Sequence, residues 1–105
     1  REGSYPPFGR LANITFWGLS AEAVRCGSSS VAAIVREKVG SSRGWEVLGP
    51  ADCLKARVKD RVRRHVMVKA PVNASVGELL AHSVREAAIP RGVSVAIDVD
   101  AYDLM

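Results

Sequence analysis

Apolar and polar residues alternate with a period of two from Arg10 to Gly18, which predicts a strand with Ala12, Ile14 and Phe16 on one side. Asn13, Thr15 and Trp17 take the other side. Before it, Tyr5-Pro6-Pro7-Phe8-Gly9 has two prolines and a glycine that keep the entry out of regular structure. Residues 18–27 are ambiguous, because Ser20 is a helix-start residue but Gly18, Gly27 and the run Ser28-Ser29-Ser30 interrupt the pattern. The helical period becomes firm at those serines. There Val31, Ile34, Val35 and Val39 share a face, and Gly40 with Ser41-Ser42 ends the helix.

Trp45 to Leu48 predicts a short strand stopped by a turn at Gly49-Pro50, and a charged connection leads to a longer strand from Arg61 to Lys69. Val62, Val66 and Val68 share one face of that strand, with Arg61, Arg63, His65, Met67 and Lys69 on the opposite one. Ser75 with Glu78 three residues on is a capping-box pattern, opening a helix whose apolar residues are Val76, Leu79, Leu80, Val84 and Ala87. Pro90 and Gly92 stop it. A last strand, Val93 to Val99, turns Val93, Val95, Ile97 and Val99 inward.

The order strand, helix, strand, strand, helix, strand predicts an α+β fold of the ferredoxin-like split βαβ type (βαββαβ). It is a four-stranded antiparallel sheet with two helices on one face. The first and third strands are central neighbours in that architecture, so Asn13, Thr15 and Trp17 lie beside Arg61, Arg63, His65 and Lys69 on the uncovered face. A base stacked on an exposed indole contributes about 1–3 kcal/mol while nearby cations hold phosphates, the combination used for single strands. The competing role for Trp17 is to cover a satellite apolar cluster or to meet another domain.

Charge sharpens this picture. The formal net charge of +4 conceals seven of the fifteen basic residues, Lys55, Arg57, Lys59, Arg61, Arg63, Arg64 and Lys69, within one short stretch that only Asp60 opposes. After residue 70 the balance reverses, with Glu78, Glu86, Asp98, Asp100 and Asp103 against Arg85 and Arg91. A basic stripe is the footprint of phosphate binding, and equally the composition of a solvated face. The 105 residues suffice for one small domain, with hydrophobic and charged fractions of 48% and 25% typical of globular chains. No apolar run nears the roughly 20 residues of a membrane span, so no membrane partner is expected. The start, Arg1 to Tyr5, is neither a methionine nor a signal peptide, and is read as a cut from a longer chain.

Cys26 and Cys53 are too few and too far apart for a zinc site and are expected to be reduced, buried thiols of a cytoplasmic protein, with a disulfide between them as the minor alternative. Asp98, Asp100 and Asp103 lack the glycine and terminal glutamate of a calcium loop. His65 lies on the open face and His82 on the surface of the second helix, neither within a nucleophile and base arrangement. No catalysis, metal or cofactor is assigned to this domain. An acyl phosphate hydrolase on the same fold needs an arginine and an asparagine converging on an anion-binding loop, and no such loop is visible.

Three stretches, Tyr5-Pro6-Pro7-Phe8-Gly9-Arg10-Leu11-Ala12, Val47-Leu48-Gly49-Pro50-Ala51 and Ile97-Asp98-Val99-Asp100, occur in register with Arg61-Val62-Arg63 and the apolar strand ending in Lys69-Ala70. Together they resemble the C-terminal domain of the primosomal protein N′ (PriA) family over nearly the whole chain. Val62 replaces the family's aromatic between the paired arginines, so stacking by that side chain is lost, and Ala101 replaces a proline. Asn73 stands where a basic residue implicated in docking the single-stranded-DNA-binding protein is common. The resemblance implies a DNA-binding or interdomain module of a multidomain replication-restart helicase. The same resemblance implies that ATP and zinc belong to other parts of that parent, and that the partners are single-stranded or branched DNA and the other helicase domains, with the single-stranded-DNA-binding protein a further candidate that Asn73 weakens. The nucleic-acid-binding candidates are Trp17, Arg57, Lys59, Arg61, Arg63, Lys69 and Arg10. The arginines at family positions, Arg10, Arg61 and Arg63, serve equally well as interdomain ion pairs.

Overall fold

The computed structural model describes residues 9–58, 60–71 and 74–102, excluding the side chains of 53–58 and 100–102. Its elements are β1 (Gly9–Gly18), α1 (Ala21–Val39), β2 (Glu46–Val58), β3 (Arg61–Pro71), α2 (Val76–Glu86) and β4 (Ser94–Tyr102). The strands form one antiparallel sheet in the order β2-β3-β1-β4, as expected of a ferredoxin-like sandwich. α1 packs on β3, β2 and β1, and α2 on β4 and β1, so both helices cover the same face.

Period-two alternation builds the core from β1 and β3. Ala12, Ile14, Phe16, Val66 and Val68 are fully buried beneath Val24, Val31 and Val35 of α1 and Leu80 of α2. Each of the larger side chains contributes about 1.5–3 kcal/mol by leaving water. Ile97 also has inward parity, but at 36% exposure it is only partly covered, because β4 is an edge strand.

α1 begins well before the serine run. The Ser20 hydroxyl accepts the Ala23 N–H at 3.1 Å and starts the helix, which then runs through Gly27 and Ser28-Ser29-Ser30. Gly27 is buried against Pro90 and Ile89, where a small residue lets helix and loop approach. Ser28, also buried, donates its hydroxyl to the Arg25 carbonyl at 3.1 Å, so this serine is satisfied within the helix it was expected to break. Gly40 ends α1 with a φ of 54°, donating its N–H to the Arg36 carbonyl. α2 starts after Ser75 as expected, but the Ser75 hydroxyl makes no capping bond.

β2 does not stop at Gly49-Pro50. It continues to Val58, with register shifts between Leu48 and Ala51 and again between Asp52 and Arg57. Proline is tolerated because β2 is an edge strand and the pair sits in a bulge. Gly49 adopts a φ of 100°, and a Cβ there would lie 3.0 Å from the His65 carbonyl oxygen. Cys26 is exposed on α1, correcting the expectation of a buried thiol, and the side chain of Cys53 lies outside the described residues.

Candidate nucleic-acid interface

The uncovered sheet face is assembled by strand register. Trp17 of β1 stands opposite Arg63 of β3 and Ser94 of β4, and Thr15 stands opposite His65 and Ala96. Arg61 follows at the start of β3. Trp17 and His65 are half-buried, whereas Arg61 and Arg63 are exposed and have no carboxylate within salt-bridge reach among the described residues. An amphipathic indole beside two guanidinium groups that no described carboxylate pairs suits a stacked base with phosphates alongside.

Toward the other end of the face the chemistry changes. Asn13 pairs with Met67 and Asp98, and Met67 in turn with Leu48, which is 42% exposed. The Asn13 amide donates to the Thr15 hydroxyl at 3.2 Å. Lys69 is 49% exposed, and its ammonium lies 3.9 Å from the carboxylate of Glu46, its register partner on β2. Six residues separate Lys69 from Arg63, which places them about 20 Å apart along β3. Lys69 therefore belongs to a mixed-charge end rather than to the Trp17 cluster.

Arg64 of the basic stretch and Arg10, a candidate from its family position, have other surroundings. Arg64 shares the parity of Val62 and Val66, and is half-buried, donating to Asp52 Oδ1 at 3.1 Å and to the Pro50 carbonyl at 3.3 Å. Arg10 shares the helix-side parity of Ala12, pairs in register with Ala70, and has its Nε buried without a partner among the described residues. Arg10 thus stands apart from Arg61 and Arg63, and its parity in β1 was the available signal. Arg57 is placed opposite Val62 by register, with its side chain outside the described residues, as are Lys59, Asn73 and Asp103. His82 is exposed on α2, its Nδ1 3.4 Å from the Arg85 guanidinium.

The sequence pattern missed Leu19, which is 71% exposed just past the end of β1. It also missed Arg36, which reaches from α1 to donate to the carbonyls of Val47 and Gly49. No cluster of three or more His, Cys, Asp or Glu residues suited to a metal exists among the described residues. No described helix is long and apolar enough to cross a membrane.

These features define a ferredoxin-like α+β sandwich whose open sheet face carries an aromatic residue among cations. Residues 1–102 match the profile of the primosomal protein N C-terminal domain. The chain belongs to that family. It is 28% identical over 101 residues to the replication restart protein PriA of Treponema pallidum (strain Nichols), covering 96% of this chain and 15% of that protein. The PriA of Bacillus subtilis (strain 168) is 28% identical over 109 residues, covering 100% of this chain and 13% of its own length. The chain thus spans under a fifth of each of these relatives. Among solved structures, the de novo designed protein Foldit4 superposes with a TM-score of 0.65 at 16% identity, covering 88% of this chain and 96% of its own. A hydantoinase/carbamoylase family amidase from Burkholderia ambifaria gives a TM-score of 0.57 at 18% identity, covering 89% and 27%. At such identities these two likenesses concern the fold alone.

Proposed function

We propose that this chain is a C-terminal DNA-binding and interdomain module of a cytoplasmic replication-restart helicase, holding single-stranded or branched DNA during primosome assembly at stalled forks. ATP hydrolysis and zinc belong to other parts of the parent protein, and this domain is not an enzyme. The observation that carries the reading is the placement of Trp17 opposite Arg63, with Arg61 beside it, on a sheet face that neither described helix covers. Phosphate contacts of this kind position a strand without reading its sequence, so selectivity among sequences is slight.

The test is fluorescence anisotropy of labelled single-stranded and forked DNA at low and moderate salt. Saturable binding that weakens steeply with salt is expected, and Arg61→Ala with Arg63→Ala should lower both the affinity and the salt slope, by about one unit per lost phosphate contact. An unchanged slope in the double variant moves the site elsewhere.

A second reading rests on the other half of the same face. Exposed Leu48 beside Met67, with Glu46, Lys69 and Asp98 around them, has the mixed apolar and ionic character of a domain-docking surface. This half suits the parent's other domains, and Asn73 gives little support to a contact with the single-stranded-DNA-binding protein. If DNA fails to bind even at low salt, the bracing role is the one to pursue.

A further inference from the structure

We infer that Leu19 is a junction wedge, an apolar side chain that abuts the first base pair of a duplex where a single strand leaves it for the Trp17 and Arg63 face. The inference rests on the nucleic-acid reading above and deepens it by naming the branch point as the part of the substrate recognised.

Leu19 is the most exposed of the large hydrophobic residues among the described residues. A lone exposed leucine is ordinary. Its mounting and its neighbours make this one informative. Gly18 before it is buried, and its backbone lies so close to the 90–92 turn that a Cβ would come 2.7 Å from the Gly92 carbonyl oxygen. Ser20 after it is fixed as the α1 cap, accepting the Ala23 N–H with its hydroxyl and the Val24 N–H, at 3.0 Å, with its carbonyl. Leu19 is therefore one outward residue between two anchored ones. A side chain so mounted meets a ligand with little ordering left to do.

The charges around it are arranged by topology. β1 lies between β3 and β4 in the sheet, so the residue following β1 is flanked on one side by the start of β3, with Arg61 and Arg63. On the other side is the turn leading into β4, where exposed Arg91 precedes Gly92. The acidic residues described at this end are Asp60, in the turn before β3, and Glu22, whose carboxylate is paired with Arg25. An apolar tip with cations on two sides matches the exposed face of a terminal base pair with a phosphate strand on either side. Leucine is among the side chains that serve as wedges between base steps.

The experiment uses this chain with a single strand and a fork, the fork carrying a fluorescent adenine analogue at its junction base pair. Wild-type protein should prefer the fork and raise the analogue's fluorescence as the pair unstacks. Leu19→Ala should keep single-strand affinity, lose about fivefold of the fork preference, and lose the junction signal, while Leu19→Met keeps both. A Leu19→Ala variant with intact fork preference and junction signal overturns the wedge and leaves the strand-binding face standing. Wild-type protein that binds both probes equally, with no junction signal, overturns it too. Failure to bind either probe removes the nucleic-acid reading as a whole, and the wedge with it.

Discussion

Ser20 and Ser75 each precede a helix, yet only the Ser20 hydroxyl accepts a backbone N–H, that of Ala23. A working cap is worth about 1 kcal/mol and an unengaged one a few tenths at most. Ser20→Ala should therefore lower the urea midpoint clearly and Ser75→Ala hardly at all, at unchanged m-value. The sequence pattern ranks these two serines the other way round, because Ser75 has the reciprocal Glu78 and Ser20 is followed by apparent breakers. What it lacks is tertiary context, namely the Pro90 and Ile89 surface that makes Gly27 a packing position. Parity was a better guide than charge at this scale. Alternation alone assigns Arg10 to the Ala12 side and Arg64 to the Val62 side, whereas counting basic residues merges Arg64 with Arg61 and Arg63, and family position adds Arg10.

β2 shows what is decided above the single residue. Gly49-Pro50 reads as a stop, since proline cannot donate to a ladder, and only the sheet order reveals that this strand lies at an edge. Two guanidinium groups from different elements support the bulge. Arg36 of α1 caps the carbonyls of Val47 and Gly49, and Arg64 of β3 caps that of Pro50 while pairing with Asp52. Arg64→Met removes the donor from β3 and should cost about 1–2 kcal/mol locally. Amide hydrogen exchange checks this. Protection should fall roughly 5- to 30-fold around Val47 to Ala51 while α2 keeps its own. Equal loss throughout would make Arg64 part of the global core. Such a clamp has no short-range pattern, because its donors lie more than ten residues from the carbonyls they serve.

The whole fold was the most legible level. Element order and the right-parity faces of β1 and β3 suffice for the ferredoxin-like sandwich and for its open face, because antiparallel pairing of central strands leaves few alternatives. The candidate site was half legible, since Trp17, Arg61 and Arg63 follow from alternation but Leu19 depends on where β1 ends and what holds its neighbours.

The segregation of charge along the sheet, with Arg61 and Arg63 at one end and Lys69 offset by Glu46 and Asp98 toward the other, has a kinetic meaning. A body of small net charge but lengthwise polarity is turned by a polyanion's field before contact, so collisions are biased to the arginine end. Stopped-flow mixing with single-stranded DNA should show an association rate constant that falls steeply with salt, and a shallower fall after Arg61→Ala with Arg63→Ala.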